Sequence, residues 1–87
     1  MNIRPAVQKD RDRIEAILLA TGRFTDEEVR CAMELVDEWL ARPEKGDYLV
    51  QVIDGGEAVA GYVCYGPTPL TDGVYDLYWI AVDPRYQ

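Results

Sequence analysis

The sequence contains no histidine and has two cysteines, Cys31 and Cys64. Histidine is the commonest general base near neutral pH and a frequent partner of cysteine in zinc sites and nucleophilic pairs. Its absence, together with the lack of metal-ligand spacing between the thiols, excludes a zinc site or a Cys-His nucleophile within this chain. Proton transfer must then use a carboxylate, a tyrosine or water. We expect both thiols to be reduced and buried as small hydrophobic residues.

Basic residues are also scarce. The chain has nine Lys and Arg residues and sixteen Asp and Glu residues, which gives a net charge of −7. Nucleic-acid surfaces need cations to neutralise phosphates, so a nucleic-acid partner is disfavoured. An acidic field suits a cationic or amine substrate, and it also keeps a protein soluble. One hypothesis is that the protein binds small cationic ligands without catalysing a reaction, and only the acidic composition supports it, weakly.

Long apolar runs are missing as well. No segment approaches the roughly 18 residues of a membrane span, and the polar start of the chain has no signal-peptide core. We therefore predict a cytoplasmic protein with no membrane partner. The 87 residues allow one domain at most, and the 48% hydrophobic and 29% charged residues are typical of a globular fold.

Two segments carry helix signals. Apolar residues recur at helical spacing between Asp10 and Ala20, and Gly22 is placed to cap that helix. A capping box at Thr25 to Glu28 opens a second helix, which Pro43 ends near Ala41 because proline disfavours helical geometry in the residue before it. One apolar stripe runs along the second helix, and we interpret it as core. Its members are Val29, Ala32, Met33, Val36, Trp39 and Leu40.

Four segments carry strand signals, and Gly55-Gly56 joins the middle two as a β-hairpin. Gly61 inside the third segment indicates a bulge or a close approach by another backbone. The order is β-α-α-β-β-β, which predicts an α+β fold with two helices and a mostly antiparallel sheet. The strand segments are Asn2–Val7, Asp47–Asp54, Ala58–Gly66 and Tyr75–Val82.

The last strand, Tyr75–Val82, is apolar on both alternating faces except at Asp76. Such a strand needs cover on both sides, and a buried carboxylate loses hydration unless it is paired. Asp76 is therefore the leading candidate for acid–base chemistry. A structural role, as a partner of Arg4 or of a backbone amide, is about equally supported by the chemistry alone.

This ending resembles the GNAT superfamily of acyl-CoA-dependent N-acetyltransferases. The family has an acidic residue in a strand with an apolar-Ala-Val ending, a short connection, and a Gln/Arg-x-x-Gly-x-Gly/Ala loop. Here the acidic residue is Asp76, the ending is Ile80-Ala81-Val82, the connection is 83–86, and Gln87 is the first residue of the loop. The element order also matches the way that fold begins. The resemblance implies one partial domain over residues 1–87, the front half of a GNAT-like fold with its C-terminal half absent.

The resemblance also implies a function, the transfer of an acetyl group from acetyl-CoA to a primary amine of a small molecule or peptide, without a metal. Asp76 would be the general base, acting through water, and a chain lacking the loop glycines would be inactive or nearly so. The cofactor-binding positions would be the main chain of Ile80, Ala81 and Val82, and Gln87 at the pyrophosphate loop. The acceptor side would be shaped by Phe24, Tyr65 and Tyr78.

A second interpretation belongs to another class. The chain could be a non-catalytic interaction module that completes its sheet by forming a homodimer or by pairing the strand at residues 75–82 with a partner chain. An apolar edge strand is a template for such pairing.

Overall fold

The computed structural model describes residues 2–45, 48–67 and 75–86, and for residues 45, 67 and 75–78 the main chain only. Two helices and four strands follow the predicted order. In sequence they are β1 (Asn2–Pro5), α1 (Arg11–Thr21), α2 (Asp26–Ala41), β2 (Leu49–Asp54), β3 (Val59–Pro67) and β4 (Tyr75–Val82). Short 3-10 turns cover Gln8–Asp10, Pro43–Lys45 and Pro84–Tyr86. The predicted α+β class is confirmed.

The four strands form one antiparallel sheet in the order β1-β2-β3-β4. Each strand therefore pairs with the next strand in the sequence. This includes β1 and β2, although α1 and α2 lie between them in the chain. Gly55 and Gly56 close the β2–β3 hairpin, where the Gly55 amide donates to the Ala58 carbonyl at 2.9 Å and Gly56 takes a φ of 97°. A positive φ favours glycine, since other residues meet steric strain there.

The helix ends follow the sequence signals. Gly22 ends α1 in the left-handed region with a φ of 67°. At the start of α2, the Glu28 amide donates to the Thr25 hydroxyl at 3.1 Å, and the Thr25 amide donates to the Glu28 carboxylate at 2.8 Å. The capping box is thus confirmed as a pair of reciprocal hydrogen bonds. Within the described ranges, neither helix offers a stretch long and apolar enough to cross a membrane.

Both helices pack on the same face of the sheet, which we call the helix face. Its buried residues meet the apolar sides of α1 and α2 in a single core. The sheet residues of the helix face are Val50, Val52, Tyr62, Cys64 and Ala81, and the helix residues are Ile14, Ile17, Leu18, Val29, Ala32, Met33 and Val36. Trp39 packs at the border of this core and donates its indole N–H to the Ala6 carbonyl at 2.9 Å, as a packing role predicts.

The two cysteines differ. Cys64 is buried on the helix face, and this burial raises the pKa of its thiol to about 11. Cys31 is exposed, so the prediction that both thiols are buried is wrong for Cys31. Cys31 lies in α2 just outside the apolar stripe, next to the buried Ala32. Both thiols are free.

The opposite surface of the sheet, which we call the open face, carries alternate residues of the same strands. These residues are Ile3, Ile53, Val63, Ile80 and Val82, which the register aligns across the four strands. Ile3 is 65% exposed and Ile80 is 54% exposed. The described part of the chain therefore covers one face of the sheet.

Strand β4 contains a bulge. The register pairs Cys64 with Trp79 but Tyr65 with Leu77, so β4 has one extra residue, Tyr78, at this point. An extra residue interrupts the alternation of a strand. The continuous two-faced pattern predicted for residues 75–82 is therefore wrong at this position.

The strand order also bears on the structural alternative for Asp76. β1 and β4 are the first and last strands of the sheet, separated by β2 and β3, which places them about 14 Å apart. Arg4 in β1 pairs instead with Asp10 at 2.8 Å and Asp54 at 3.0 Å. The prediction that Asp76 pairs with Arg4 is therefore wrong.

Candidate functional site

A cavity of about 210 Å³ lies where the turn between α1 and α2 meets the end of β4. The turn follows from the left-handed Gly22 and the capping box at Thr25, which together direct the intervening residues toward β4. The cavity is lined by Thr21, Arg23, Phe24, Ile80, Ala81 and Val82. The structure thus brings Phe24, predicted for the acceptor side, together with the three main-chain positions predicted for the cofactor.

Phe24 is held against β4 by an aromatic contact. Its ring and that of Trp79 have centroids 5.6 Å apart and an interplanar angle of 67°, an edge-to-face arrangement. Such pairs contribute roughly 0.5–1.5 kcal/mol beyond the area that they bury. Both rings also pack against the core, so the wall of the cavity is fixed from the inside of the protein.

The main chain at the end of β4 has a defined direction. The Asp83 amide donates to the Ala60 carbonyl in β3 at 2.8 Å. In an antiparallel pair, alternate residues direct their amide and carbonyl groups toward the same neighbour, so residues 79, 81 and 83 face β3. The amide and carbonyl groups of Ile80 and Val82 consequently point away from β3, to the side of β4 where the cavity lies.

Gly61 allows β3 and β4 to approach closely next to the cavity. A Cβ atom at Gly61 would lie 2.8 Å from the Ala81 carbonyl oxygen and 3.3 Å from the Val82 Cα. Both neighbours are main-chain atoms, which cannot rotate away as a flexible side chain can. The predicted close approach of another backbone at Gly61 is confirmed. The register also places a bulge beside Gly61, because Ile53 pairs with Gly61 but Asp54 pairs with Val59, which leaves Ala60 as an extra residue of β3.

A charged cluster holds the residue that follows β4. Asp83 is buried, and its carboxylate accepts from Arg13 Nη2, from Arg85 Nη2 at 2.9 Å and from the Arg85 amide at 2.9 Å. Arg13 also donates from Nε to the Val59 carbonyl at 3.0 Å. Hydrogen bonds from the Arg85 side chain and amide, and then from Arg13, hold the pKa of Asp83 well below its usual range.

A second cluster of the same chemistry adjoins the first, because Arg13 lines one cavity together with Arg4, Asp10 and Asp54. Asp54, the last residue of β2, accepts from the Gly56 amide at 2.9 Å and from Arg4 at 3.0 Å. Asp10 is buried, which raises its pKa, but hydrogen bonds from Arg4 and the Val7 amide outweigh this effect and leave the pKa lowered. None of these residues lines the cavity at β4.

The other predicted site residues are placed differently. Tyr65 lies in β3 opposite Leu77, away from the cavity lining, and its hydroxyl is 3.2 Å from the Gln51 side-chain oxygen. Asp76 lies in β4 opposite Gly66, and Tyr78 is the bulge residue, but the side chains of both fall outside the described part of the chain. Gln87 lies outside it entirely.

Sequence reasoning missed Arg13 and Asp83. The signal for Asp83 was present in the Asp-Pro pair after the strand, because aspartate before a proline turn commonly accepts from the amide two residues later. Arg13 had no such signal. It is a charged residue at the start of a helix, and only the packing of α1 against the ends of β3 and β4 shows what it binds.

A larger groove of about 360 Å³ runs along the outer side of α1 and α2 and includes the Arg11–Asp37 ion pair. No residue of β4 lines this groove, so we assign the candidate site to the cavity at β4. Among the described residues, no group of three or more His, Cys, Asp or Glu side chains is placed to hold a metal ion.

Comparison with known proteins identifies the family of this chain. The profile of the Acetyltransferase (GNAT) family matches residues 13–87. A crystal structure from Desulfovibrio desulfuricans, of a protein assigned to the GNAT family of acetyltransferases, is similar with a TM-score of 0.88 and 44% sequence identity. The similarity covers 99% of this chain and 55% of that chain, so the present chain spans about half the length of its structural relative. None of the curated proteins matches. The family match over most of the sequence and the close structural similarity together show that this chain belongs to the GNAT acetyltransferase family.

Proposed function

We propose that this chain forms the part of an N-acetyltransferase that takes an acetyl group from acetyl-CoA and presents it to a primary amine. The observation that carries the proposal is the cavity that joins Phe24 to the main chain of Ile80, Ala81 and Val82. In a chain of this family, such a cavity at the side of β4 suits a thioester with an extended arm. Acetyl-CoA supplies the acyl group, already activated as a thioester.

The reaction places three demands on the site. The amine must lose a proton, the thioester carbonyl must be polarised, and the two must be held in attack geometry. The amine nitrogen then bonds to the carbonyl carbon, the carbon–sulfur bond breaks, and the thiolate leaves and takes up a proton. Main-chain amides that point away from β3, such as that of Ile80, are suitable donors to the carbonyl oxygen.

We assign the base role to Asp76 and the acceptor side to Phe24, with Tyr65 and Tyr78 as further candidates. The position of Asp76 in β4, two residues before the bulge at Tyr78, supports the assignment. Bulges re-aim neighbouring groups and are frequent beside active sites. Aspartate is short, so a water molecule would relay the proton from the amine.

The test is calorimetric titration of acetyl-CoA into the complete gene product and, separately, into residues 1–87. Binding by the complete product, followed by acetylation of amines from a screening panel, would support the proposal. Absence of binding by both would overturn it. Ile3→Ala, on the open face of β1 and outside the cavity lining, is a suitable control for nonspecific loss of binding, because two strands separate β1 from β4.

A separate variant tests the base. Asp76→Asn is expected to lower kcat/KM by roughly 10²–10⁴-fold, because it removes the proton acceptor and keeps the size of the side chain. The loss should be smallest at high pH, where the amine is deprotonated without help. An unchanged pH profile and rate would assign Asp76 a structural role.

One observation favours the interaction module as a second candidate. β4 is the last strand in the order of the described sheet, and Ile80 is 54% exposed. A homodimer or a partner chain pairing with residues 75–82 would bury this residue. Analytical ultracentrifugation of the complete product at several concentrations, with Ile80→Lys as a variant, tests this candidate. A monomer at all concentrations would argue against the homodimer.

A further inference from the structure

Asp83, the residue after β4, forms hydrogen bonds through its main-chain amide, its main-chain carbonyl and its carboxylate. The Asp83 amide bonds to the Ala60 carbonyl, and its carbonyl accepts from the Tyr86 amide at 2.8 Å. Its carboxylate accepts from Arg13 and from the main chain and side chain of Arg85. Asp83 thereby joins three elements, namely the end of the sheet, α1 and the turn Pro84–Tyr86.

Arg13 gives this junction its fixed geometry. One guanidinium group bonds to the Val59 carbonyl at the start of β3 and to the Asp83 carboxylate after the end of β4. A planar guanidinium serves two such acceptors at once, whereas an ammonium group is a single point charge on a flexible stem. The first turn of α1 therefore sets where the main chain leaves β4.

The junction directly adjoins the cavity. Val82, the residue before Asp83, lines the cavity, and the Ala81 and Val82 main chain lies against Gly61. Two guanidinium groups bind the one carboxylate, so the position of Asp83 is fixed from two sides.

We propose that Asp83, held between Arg13 and Arg85, is a positioning residue that fixes the carboxyl end of β4 for acyl-CoA binding. The inference rests on the proposed function. Asp83 makes no contact with the reacting atoms in this proposal and acts through the main chain of Val82 and through the turn Pro84–Tyr86.

The test compares Asp83→Asn with Asp54→Asn in the complete gene product. The two residues are comparable, because each lies at or just after the end of a strand, accepts from the amide two residues later and pairs with an arginine, and Asp83 is the more buried of the two. Asp54 does not line the cavity at β4. The measured quantities are the Kd for acetyl-CoA, the KM for acetyl-CoA, kcat, and the midpoint of thermal unfolding.

Both variants are expected to lower the unfolding midpoint. Asp83→Asn alone should raise the Kd and KM for acetyl-CoA, by roughly tenfold, with kcat nearly unchanged, because a displaced end of β4 weakens binding of the substrate and of the transition state equally. Arg13→Lys, which keeps the charge and loses the double contact, should reproduce this change. If Asp83→Asn does not fold, Arg13→Lys alone tests the proposal.

Equal Kd values for the wild type, Asp83→Asn and Arg13→Lys would overturn the inference and leave the proposed function standing. Equal increases in Asp83→Asn and Asp54→Asn would also overturn it, since the effect would then be general destabilisation. Absence of acetyl-CoA binding by the wild type would overturn the proposed function, and the inference with it.

Discussion

The two faces of the sheet are built from similar residues but have different surroundings. On the helix face, Val50, Val52 and Tyr62 are completely buried. On the open face, Ile3 is 65% exposed and Ile80 is 54% exposed. Apolar β-branched residues occur on both sides, so composition does not explain the difference. An apolar face allows a strand to be buried. The packing of the helices decides which of the two faces is buried.

The largest expected difference in stability is between two isoleucine-to-alanine substitutions, one on each face of the sheet. Ile17→Ala removes a completely buried side chain of α1 that packs on the helix face, and it should cost about 2–5 kcal/mol of unfolding free energy. Ile3→Ala on the open face should cost less than about 0.5 kcal/mol. Urea unfolding of both variants measures the difference. Similar losses would mean that the open face is covered in solution.

A smaller effect is expected at Gly61, on the open face but against the backbone of β4. Gly61→Ala places a methyl group 2.8 Å from the Ala81 carbonyl oxygen, so the two strands must separate, at a cost of about 1–3 kcal/mol. The same shift would move the cavity wall and weaken acetyl-CoA binding. Urea unfolding and calorimetry measure the two effects.

Ile3→Ala, on the same face in β1, is the control for Gly61→Ala. It removes volume from the open face without a clash and away from β4, and it should leave acetyl-CoA binding unchanged. If Gly61→Ala is as stable as the wild type, the strands are less closely packed than the structure shows.

The smallest effect is a gain of stability on the helix face. The Tyr62 hydroxyl is buried and has no hydrogen-bond partner among the residues that the structure describes, and burial also raises its pKa. An unsatisfied buried hydroxyl costs free energy, so Tyr62→Phe should stabilise the protein by about 1 kcal/mol. Thermal unfolding compares this variant with Tyr65→Phe on the other side. A loss of stability in Tyr62→Phe would reveal a bonding partner for its hydroxyl.

Most of the secondary structure was predictable because its signals are local. The capping box at Thr25, the left-handed Gly22 and the glycine turn of the β2–β3 hairpin each depend on a few adjacent residues. The expectations that Ile80 to Val82 bind the cofactor and that Phe24 shapes the acceptor side came from family resemblance, and the structure places these residues around one cavity.

Other features were not predictable because they depend on residues far apart in the sequence. The bulge at Tyr78 follows from how β4 aligns with β3, and a one-residue shift leaves no mark on composition. The same holds for Arg4, which reaches Asp54 because β1 pairs with β2.

By itself, the sequence determined the order of helices and strands, the helix ends, the hairpin turn and the family, since these follow from hydrophobic periodicity, capping residues and motif spacing within short segments. Only the tertiary structure decided which face of the sheet is buried, where β4 bulges, and that Arg13 reaches Asp83. The reason is physical. Burial and ion pairing arise between segments brought together by packing, and the same local pattern is compatible with more than one such arrangement.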